Sequence, residues 1–277
     1  MEPAVIRRLE PWLVNAALAA AALVAVFPLA WMAVVSTMAP GEASAFPPPL
    51  VPSAPSLAAY RELFARTAVG RHFANSLGLA LAATGLSLAF NVTAGYAFAK
   101  LRFAGRAAIW KLVVGVMLVP AQVAMIPLFL MLKQVGLVNS YAGVLVPSLA
   151  NAFGIFLVRQ YALTIPDELL EAARIDGAGE IRIFWSIVLP VVRPVLATLA
   201  IFAFLGSWND FLWPLIVLSD DARQTLPVAL AALSREHAGD SELMMAGAVL
   251  TILPVLAVFL ALQRYYLSGL VSGSVKG

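Results

Sequence analysis

The sequence predicts an all-α integral membrane protein with six transmembrane helices. Of its 277 residues, 62% are hydrophobic and only 12% are charged, whereas soluble proteins average about 45–50% apolar and about 25% charged residues. The few charges leave six long apolar runs between them, and about 20 apolar residues are enough to cross a hydrocarbon core of about 30 Å. The predicted spans lie near residues 12–36, 73–98, 110–132, 141–160, 195–217 and 243–263.

The first span, near residues 12–36, has two interpretations. Arg7 and Arg8 precede it and the small residues at 43–45 resemble a cleavage site, as in a secretory signal peptide. A signal peptide has an apolar core of about 7–15 residues, and this uncharged run is longer. The sequence therefore favours an uncleaved transmembrane anchor.

The basic residues predict the orientation in the cell (inner) membrane. Six spans place both termini on one side, and cytoplasmic loops are enriched in Lys and Arg. With cytoplasmic termini, twelve of the 18 Lys and Arg residues face the cytoplasm. The expected external segments are a proline-rich stretch at 45–56 leading to a short helix at 57–66, a turn near 133–140 and a polar loop at 218–242.

A charged segment at residues 164–193 separates the fourth and fifth predicted spans. Thr164 can cap a helix whose first turn contains Asp167, and an acid is favourable at the positive end of the helix dipole. Gly177 permits the left-handed backbone that ends a helix. A second short amphipathic stretch follows at residues 180–189. The pattern predicts a helix, a glycine turn and a second helix, all lying at the cytoplasmic surface.

The first of these helices is unusually acidic. Its apolar side is predicted to comprise Leu169, Leu170, Ala173 and Ile175. Residues 167–180 contain five acids and one base, whereas a helix that rests on anionic lipid is rich in Lys and Arg. The composition therefore favours a protein partner with basic residues over a lipid surface.

The spacing of residues in this segment resembles a known signature. Glu171-Ala172-Ala173, Gly177, Ile187 and Leu189-Pro190 match every fixed position of the EAA signature of ABC-importer permeases. Upstream VPAQVAMIPLFLML and downstream SWNDFLWPLIVLSD and GLVSGSVKG are similar to the one-domain permease subunit of the maltose-type, carbohydrate-uptake branch. The resemblance covers roughly residues 70–277.

The resemblance implies that residues 164–193 contain coupling helices that dock in a groove of a cytoplasmic ATPase. Glu171 would be the charged contact, Ala172 and Ala173 the small surface that allows close approach, and Gly177 the turn. The expected coupling site is completed by Asp176, Ile187, Leu189 and Pro190. The chain has no GxxxxGK[ST] phosphate loop, so we expect a partner to hydrolyse ATP and this chain to bind no cofactor and to be no enzyme.

The resemblance also implies the other partners. The pore would be a heterodimer of this chain with a second permease subunit, surrounded by membrane lipid and bound to two copies of the ATPase. An extracytoplasmic solute-binding protein would deliver the solute and dock on the loops at residues 37–72 and 218–242.

Asp210 is the only acid inside a predicted span, where the insertion scale assigns it a cost of about 2.5–3.5 kcal/mol. In one interpretation Trp208, Asn209 and Asp210 line the translocation cavity, where an aromatic ring stacks on a sugar and polar groups bind its hydroxyls. In the other they close a helix break before Pro214 or pair within the dimer.

Asn91, Gln122 and Asn151 are uncharged polar residues at span depth. Such residues usually form hydrogen bonds between helices. Asn91 and Asn151 are also candidates for the cavity lining, and the sequence leaves both interpretations open.

Composition excludes other classes of function. Without cysteine and with two isolated histidines the chain has no metal-ligand spacing, and its dispersed basic residues do not form a nucleic-acid surface. The sequence predicts a permease subunit for a sugar or related polar solute. Glycerol phosphate or another polyol is an alternative cargo. A stand-alone secondary carrier is a further alternative, but it would need more charges within the spans.

Overall fold

The computed structural model describes residues 3–236 and 239–274, with side chains over 12–235 and 239–263. All regular structure in these residues is helical. The α-helices are α1 (Pro3–Val35), α2 (Ala58–Arg66), α3 (Val69–Lys100), α4 (Arg106–Val116), α5 (Ala121–Gln134), α6 (Tyr141–Leu145), α7 (Ala152–Leu163), α8 (Asp167–Ile175), α9 (Glu180–Ile183), α10 (Leu189–Trp208), α11 (Leu212–Val217), α12 (Leu226–Glu236) and α13 (Ser241–Ser274).

The all-α membrane class is confirmed by the length and composition of these helices. Among the residues that the structure describes, five stretches are long and apolar enough to cross a bilayer, and one bent pair of helices provides a sixth span if the pair is counted as one. The five stretches are Trp12–Val35, Val69–Lys100, Tyr141–Leu163, Glu180–Trp208 and Ser241–Gln263. The first predicted external helix, at 57–66, corresponds to α2.

The third predicted span, 110–132, is broken rather than straight. It maps onto α4 and α5, which are bent by 111° relative to each other. Pro120 precedes α5 in an extended conformation, with φ −59° and ψ 131°. Proline lacks an amide hydrogen and disfavours helical backbone at the residue before it, which explains why the helix stops here.

The path into the fifth predicted span also differs from the expectation. The second surface helix, expected at 180–189, is not separate, because α9 continues through a π-helical stretch at Phe184–Val188 directly into α10. Pro190 is the second residue of α10, directly after the π-helical stretch, so the backbone donor that proline lacks falls next to the altered hydrogen-bond pattern of that stretch. At the other end, α10 stops at Trp208 and α11 is a separate helix, so the predicted span 195–217 is not continuous.

The chain divides into two compact units. The first comprises residues up to Val69 together with Leu230–Leu253. In it, Glu42 accepts hydrogen bonds from the amides of Ala39 and Ser53 at 2.9 and 2.6 Å. The buried Glu242 accepts one from the amide of Ala43 at 2.9 Å. These carboxylates hold the proline-rich loop against the start of α13.

The second unit, Gly70–Ala229 with Pro254–Gly277, contains the charged segment. Its larger core lies where α3, α7, α8, α9 and α10 meet, and its smaller core lies between α3, α5, α6 and α11. The larger core is built from aliphatic residues such as Val158, Leu170, Ile183 and Val192, all almost completely buried. The charged segment is therefore packed directly on three membrane-span helices.

Candidate functional site

The turn at the centre of the EAA segment is a complete Schellman motif. Asp176 is the C-cap of α8, and Gly177 follows it with φ +80°. The amide of Ala178 donates to the carbonyl of Ala173 at 2.9 Å, and the amide of Gly177 donates to that of Arg174 at 3.0 Å. These hydrogen bonds provide donors for two of the carbonyl groups that have no partner within the helix at its C-terminal end. The predicted glycine turn is confirmed.

Helix α8 buries a narrower apolar side than the sequence predicted. Leu170 is buried, and Ala173 packs against the larger core. Leu169 and Ile175 are exposed, the latter to 86%. At 100° per residue, Ile175 lies about 140° from Leu170 around the helix, so the expectation that the two share one side is wrong.

The predicted coupling residues fall into two groups. Glu171, Ala172, Asp176, Gly177 and Pro190 are exposed. Ala173, Ile187 and Leu189 pack against the larger core. The first group is available to a partner, and the second holds the segment in place.

Three large apolar side chains close in sequence to the predicted contact residues are exposed, and we refer to Ile175, Ile181 and Trp185 together as the exposed apolar patch. Ile181 and Trp185, in the helical stretch after the turn, are 78% and 62% exposed, and Ile175 precedes the turn. Sequence reasoning missed Ile181 and Trp185 because it assigned residues 180–189 only as an amphipathic stretch. The signal was present, since this stretch carries more large apolar residues than one buried stripe can accommodate.

Lys100 connects the end of α3 to the beginning of the charged segment. Its Nζ donates to the carbonyl oxygen of Ile165 and to Oδ1 of Asp167, each at 2.6 Å. The lysine side chain is almost fully buried, and it holds the pKa of Asp167 below the usual range by hydrogen bonding and charge. From the sequence, Lys100 was expected only to mark the cytoplasmic end of a span.

A second polar connection joins α3 to both sides of the Schellman turn. The Tyr96 hydroxyl donates to Oε2 of Glu180 at 2.8 Å, and Nε of Arg174 donates to Oε1 of the same carboxylate at 2.7 Å. This hydrogen bond to Glu180 raises the pKa of Arg174. Neither Tyr96 nor Glu180 was predicted as a site residue, and no local sequence signal pairs residues so distant in the chain.

Asn91 and Asn151 join α3 to the start of α7. Asn91 is buried, its Nδ2 donates to Ser87 Oγ at 2.7 Å, and its Oδ1 accepts from the amide of Asn151 at 3.0 Å. Asn151 caps α7 by accepting from the amide of Gly154 at 3.2 Å. A Cβ on Gly154 would lie 2.5 Å from Asn91 Nδ2. Within the chain, Asn91 therefore has the helix-packing role, and its place in the cavity lining stays a prediction.

The three residues around Asp210 do not form one polar surface. Trp208 is completely buried, and its ring lies 5.5 Å from that of Phe73 and 6.0 Å from that of Phe204. Within this chain the Trp208 ring packs against protein, so it has no exposed face on which a sugar could stack. Asp210 Oδ1 accepts from the amide of Trp213 at 3.3 Å and so caps α11, as the helix-break interpretation requires. Asn209 is exposed at the end of α10.

The amino-acid sequence matches a known transport family over most of its length. The family described as "Binding-protein-dependent transport system inner membrane component" matches residues 91–270. The chain belongs to this family. The permease is therefore a membrane transport component and not an enzyme.

Named relatives and a solved structure extend the match over nearly the whole permease. It is 38% identical to the arabinooligosaccharides transport system permease protein AraQ of Halalkalibacterium halodurans, over 96% of each chain. It is 36% identical to the sn-glycerol-3-phosphate transport system permease protein UgpE of Yersinia enterocolitica, over 71% of each chain. It also resembles a chain in the crystal structure of a bacterial ABC transporter involved in the import of the acidic polysaccharide alginate. That match has a TM-score of 0.81 and 26% identity, and it covers 94% of the permease and 97% of the solved chain.

Proposed function

We propose that this permease forms half of the translocation pathway of an importer driven by a separate cytoplasmic ATPase. The observation that carries the proposal is the exposed surface around the EAA turn. Glu171 and Ala172 point away from the permease core, and Ile175 is 86% exposed beside them. An exposed apolar patch rimmed by polar residues is typical of a protein interface.

The charged segment would transmit ATPase closure to the spans. Since α9 continues through the π-helical stretch into α10, the stretch Glu180–Trp208 forms one helical path from the docking surface into the membrane. Ala173, Ile187 and Leu189 pack this path onto the larger core. Movement of the segment would therefore shift packed helices as a body, the usual route to alternating access.

The proposed orientation has both termini in the cytoplasm. Lys100 contacts Asp167, so the basic loop that follows α3, with Arg102 and Arg106, lies at the same end of α3 as the EAA turn. This arrangement agrees with the positive-inside rule. The loops at residues 37–72 and 218–242 would face outward and receive the solute-binding protein.

A second permease and two ATPase copies would complete the transporter. Helix α1 supports this proposal, because its described apolar side chains between Trp12 and Leu29 are largely exposed within this chain and need lipid or a partner helix to cover them. Two of the predicted cavity residues, Asn151 and Asn209, are exposed polar residues at helix ends, and the side chain of Asn151 already caps α7. We assign Asn209 to the pathway between the two permeases.

The proposed cargo is a sugar or oligosaccharide. Relatives named for arabinooligosaccharides and for alginate support it. Glycerol phosphate is the second candidate, because a relative named for that solute is nearly as similar. Membership in a binding-protein-dependent family argues against a stand-alone carrier.

Uptake by the reconstituted complex tests these proposals. The permease is co-expressed with the second permease, the ATPase and the binding protein of its transporter, and the complex is placed in liposomes. We expect ATP-dependent accumulation of radiolabelled arabinooligosaccharide and little accumulation of sn-glycerol-3-phosphate. The reverse preference would assign the alternative cargo, and uptake that persists without ATP would contradict the proposed mechanism.

A further inference from the structure

One side of α3 holds both ends of helix α8. Tyr96 and Lys100 are four residues apart and so lie on the same side of α3. Lys100 binds Asp167 at the start of α8, and Tyr96 binds Glu180, which in turn binds Arg174 in the last turn of α8. Because α8 is fixed at both ends, it cannot tilt without moving this end of α3.

Side chains at the opposite end of α3 form hydrogen bonds with the backbone of residues 221–226. His72 Nε2 donates to the carbonyl of Asp221 at 3.0 Å, since a carbonyl oxygen can only accept. Asn75 Nδ2 donates to the carbonyls of Ala222 and Gln224 at 3.0 and 2.9 Å. Ser76 Oγ accepts from the amide of Leu226 at 2.7 Å.

The helix between these two sets of contacts is continuous. Helix α3 has 32 residues, contains no proline and is about 48 Å long at 1.5 Å per residue. One uninterrupted helix therefore touches both the EAA segment and the loop that we assign to the outer face.

We propose that α3 is a strut that carries movement of the coupling segment to residues 221–226, with Tyr96 and Lys100 as its positioning residues. The inference rests on the proposed function, because it takes ATPase docking as the source of movement. Its rival is transmission through α10 alone, which is covalently continuous with α9. The two routes differ in one respect: only the strut requires the side-chain contacts of α3.

A single reporter on the outer loop distinguishes the two routes. The chain has no cysteine, so Asp221→Cys introduces the only thiol of this chain at a side chain that is 75% exposed, while the carbonyl that binds His72 stays. The other subunits are used in cysteine-free form. A nitroxide is attached there, and the complete complex in lipid nanodiscs is compared without nucleotide and after trapping with ATP and vanadate. We expect the reporter's spectrum to change on trapping.

Substitutions at each end of the strut test its role. Tyr96→Phe combined with Lys100→Met is expected to reduce the spectral change at least about fivefold, the low end of usual allosteric coupling. Asn75→Ala, at the other end, is expected to reduce it similarly while vanadate trapping by the ATPase stays unchanged. Tyr161→Phe combined with Lys111→Met alters the same residue types at exposed positions and serves as the matched control.

The outcomes separate failure of the strut from failure of the proposed function. A change on trapping that persists in the Asn75→Ala variant would overturn the strut and leave α10 as the route. No change in the unaltered complex would also overturn the strut, because no movement would then reach residues 221–226. If the double variant at Tyr96 and Lys100 no longer assembles, Asn75→Ala decides alone. If the unaltered permease binds no ATPase, the proposed function itself is wrong.

Discussion

The shape of the EAA turn depends on the backbone conformation of one residue, Gly177. Its φ of +80° is unfavourable for a residue with a Cβ, although nothing lies within 4 Å of the place that the Cβ would occupy. The left-handed conformation costs such a residue about 1–2 kcal/mol. We expect Gly177→Val to distort the turn and to weaken ATPase binding by about tenfold in a co-purification or binding assay.

Gly179, two residues later, is the matched control. Its φ is −71° and the space around it is also open, so Gly179→Ala is expected to bind the ATPase normally. If both variants bind equally well, the Schellman turn is not needed for docking.

The contact between Asp167 and Lys100 predicts a defined pH dependence. The pKa of Asp167 lies below its ordinary value of 3.8 because Lys100 donates a hydrogen bond to it. An acid with a lowered pKa adds stability above its ordinary pKa, and that stability disappears as the pH falls through the lowered value. We expect Asp167→Asn to lower Tm by a constant amount between pH 5 and 8, and the difference from the unaltered permease to shrink below about pH 4. A difference that grows toward low pH would contradict this.

At the scale of single elements, Asp210 decides whether α11 is properly capped. Removing an N-terminal cap costs about 0.5–2 kcal/mol, and Asp210 Oδ1 is the acceptor for the amide of Trp213. We expect Asp210→Ala to lower the Tm of the purified permease, whereas Asp210→Asn, which keeps an acceptor oxygen, has a smaller effect. If Asp210→Ala leaves Tm unchanged but abolishes uptake, the residue belongs to the pathway instead.

The spacing of charges predicted the positions of the apolar helices because each charge is costly inside a bilayer. The same spacing could not predict the break at Pro120 or the continuity through Pro190. A proline ends a helix or starts one according to its position in the turn, and the π-helical stretch at Phe184–Val188 that precedes Pro190 has no simple sequence pattern.

The candidate site was predictable where it depends on local backbone and unpredictable where it depends on packing. Gly177 was found because a left-handed turn needs glycine. The contact of Trp208 with Phe73 and that of Tyr96 with Glu180 join residues far apart in the chain. Polar residues at span depth therefore looked like cavity residues until their partners were known.

At the scale of the whole molecule, the exposed apolar patch predicts how the permease assembles. Ile175 and Ile181 are 86% and 78% exposed, so replacing both with serine changes little within the permease itself. Burying an isoleucine side chain contributes about 1.5–3 kcal/mol, and only a bound partner can provide that burial here. We expect Ile175→Ser combined with Ile181→Ser to keep the Tm of the permease pair and to weaken its binding to the isolated ATPase at least about tenfold.

Leu170→Ala, on the same helix as Ile175, is expected to lower folding stability and to leave the docking surface unchanged. Leu170 is buried in the larger core, so its truncation is expected to cost about 2–5 kcal/mol of folding stability without removing a side chain from the docking surface. The two variants together separate docking from folding, since one lowers ATPase binding at constant Tm and the other lowers Tm first. If the serine variant binds the ATPase normally but releases bound anionic lipid, the patch rests on headgroups, and the acidic character of residues 167–180 does not select a protein partner.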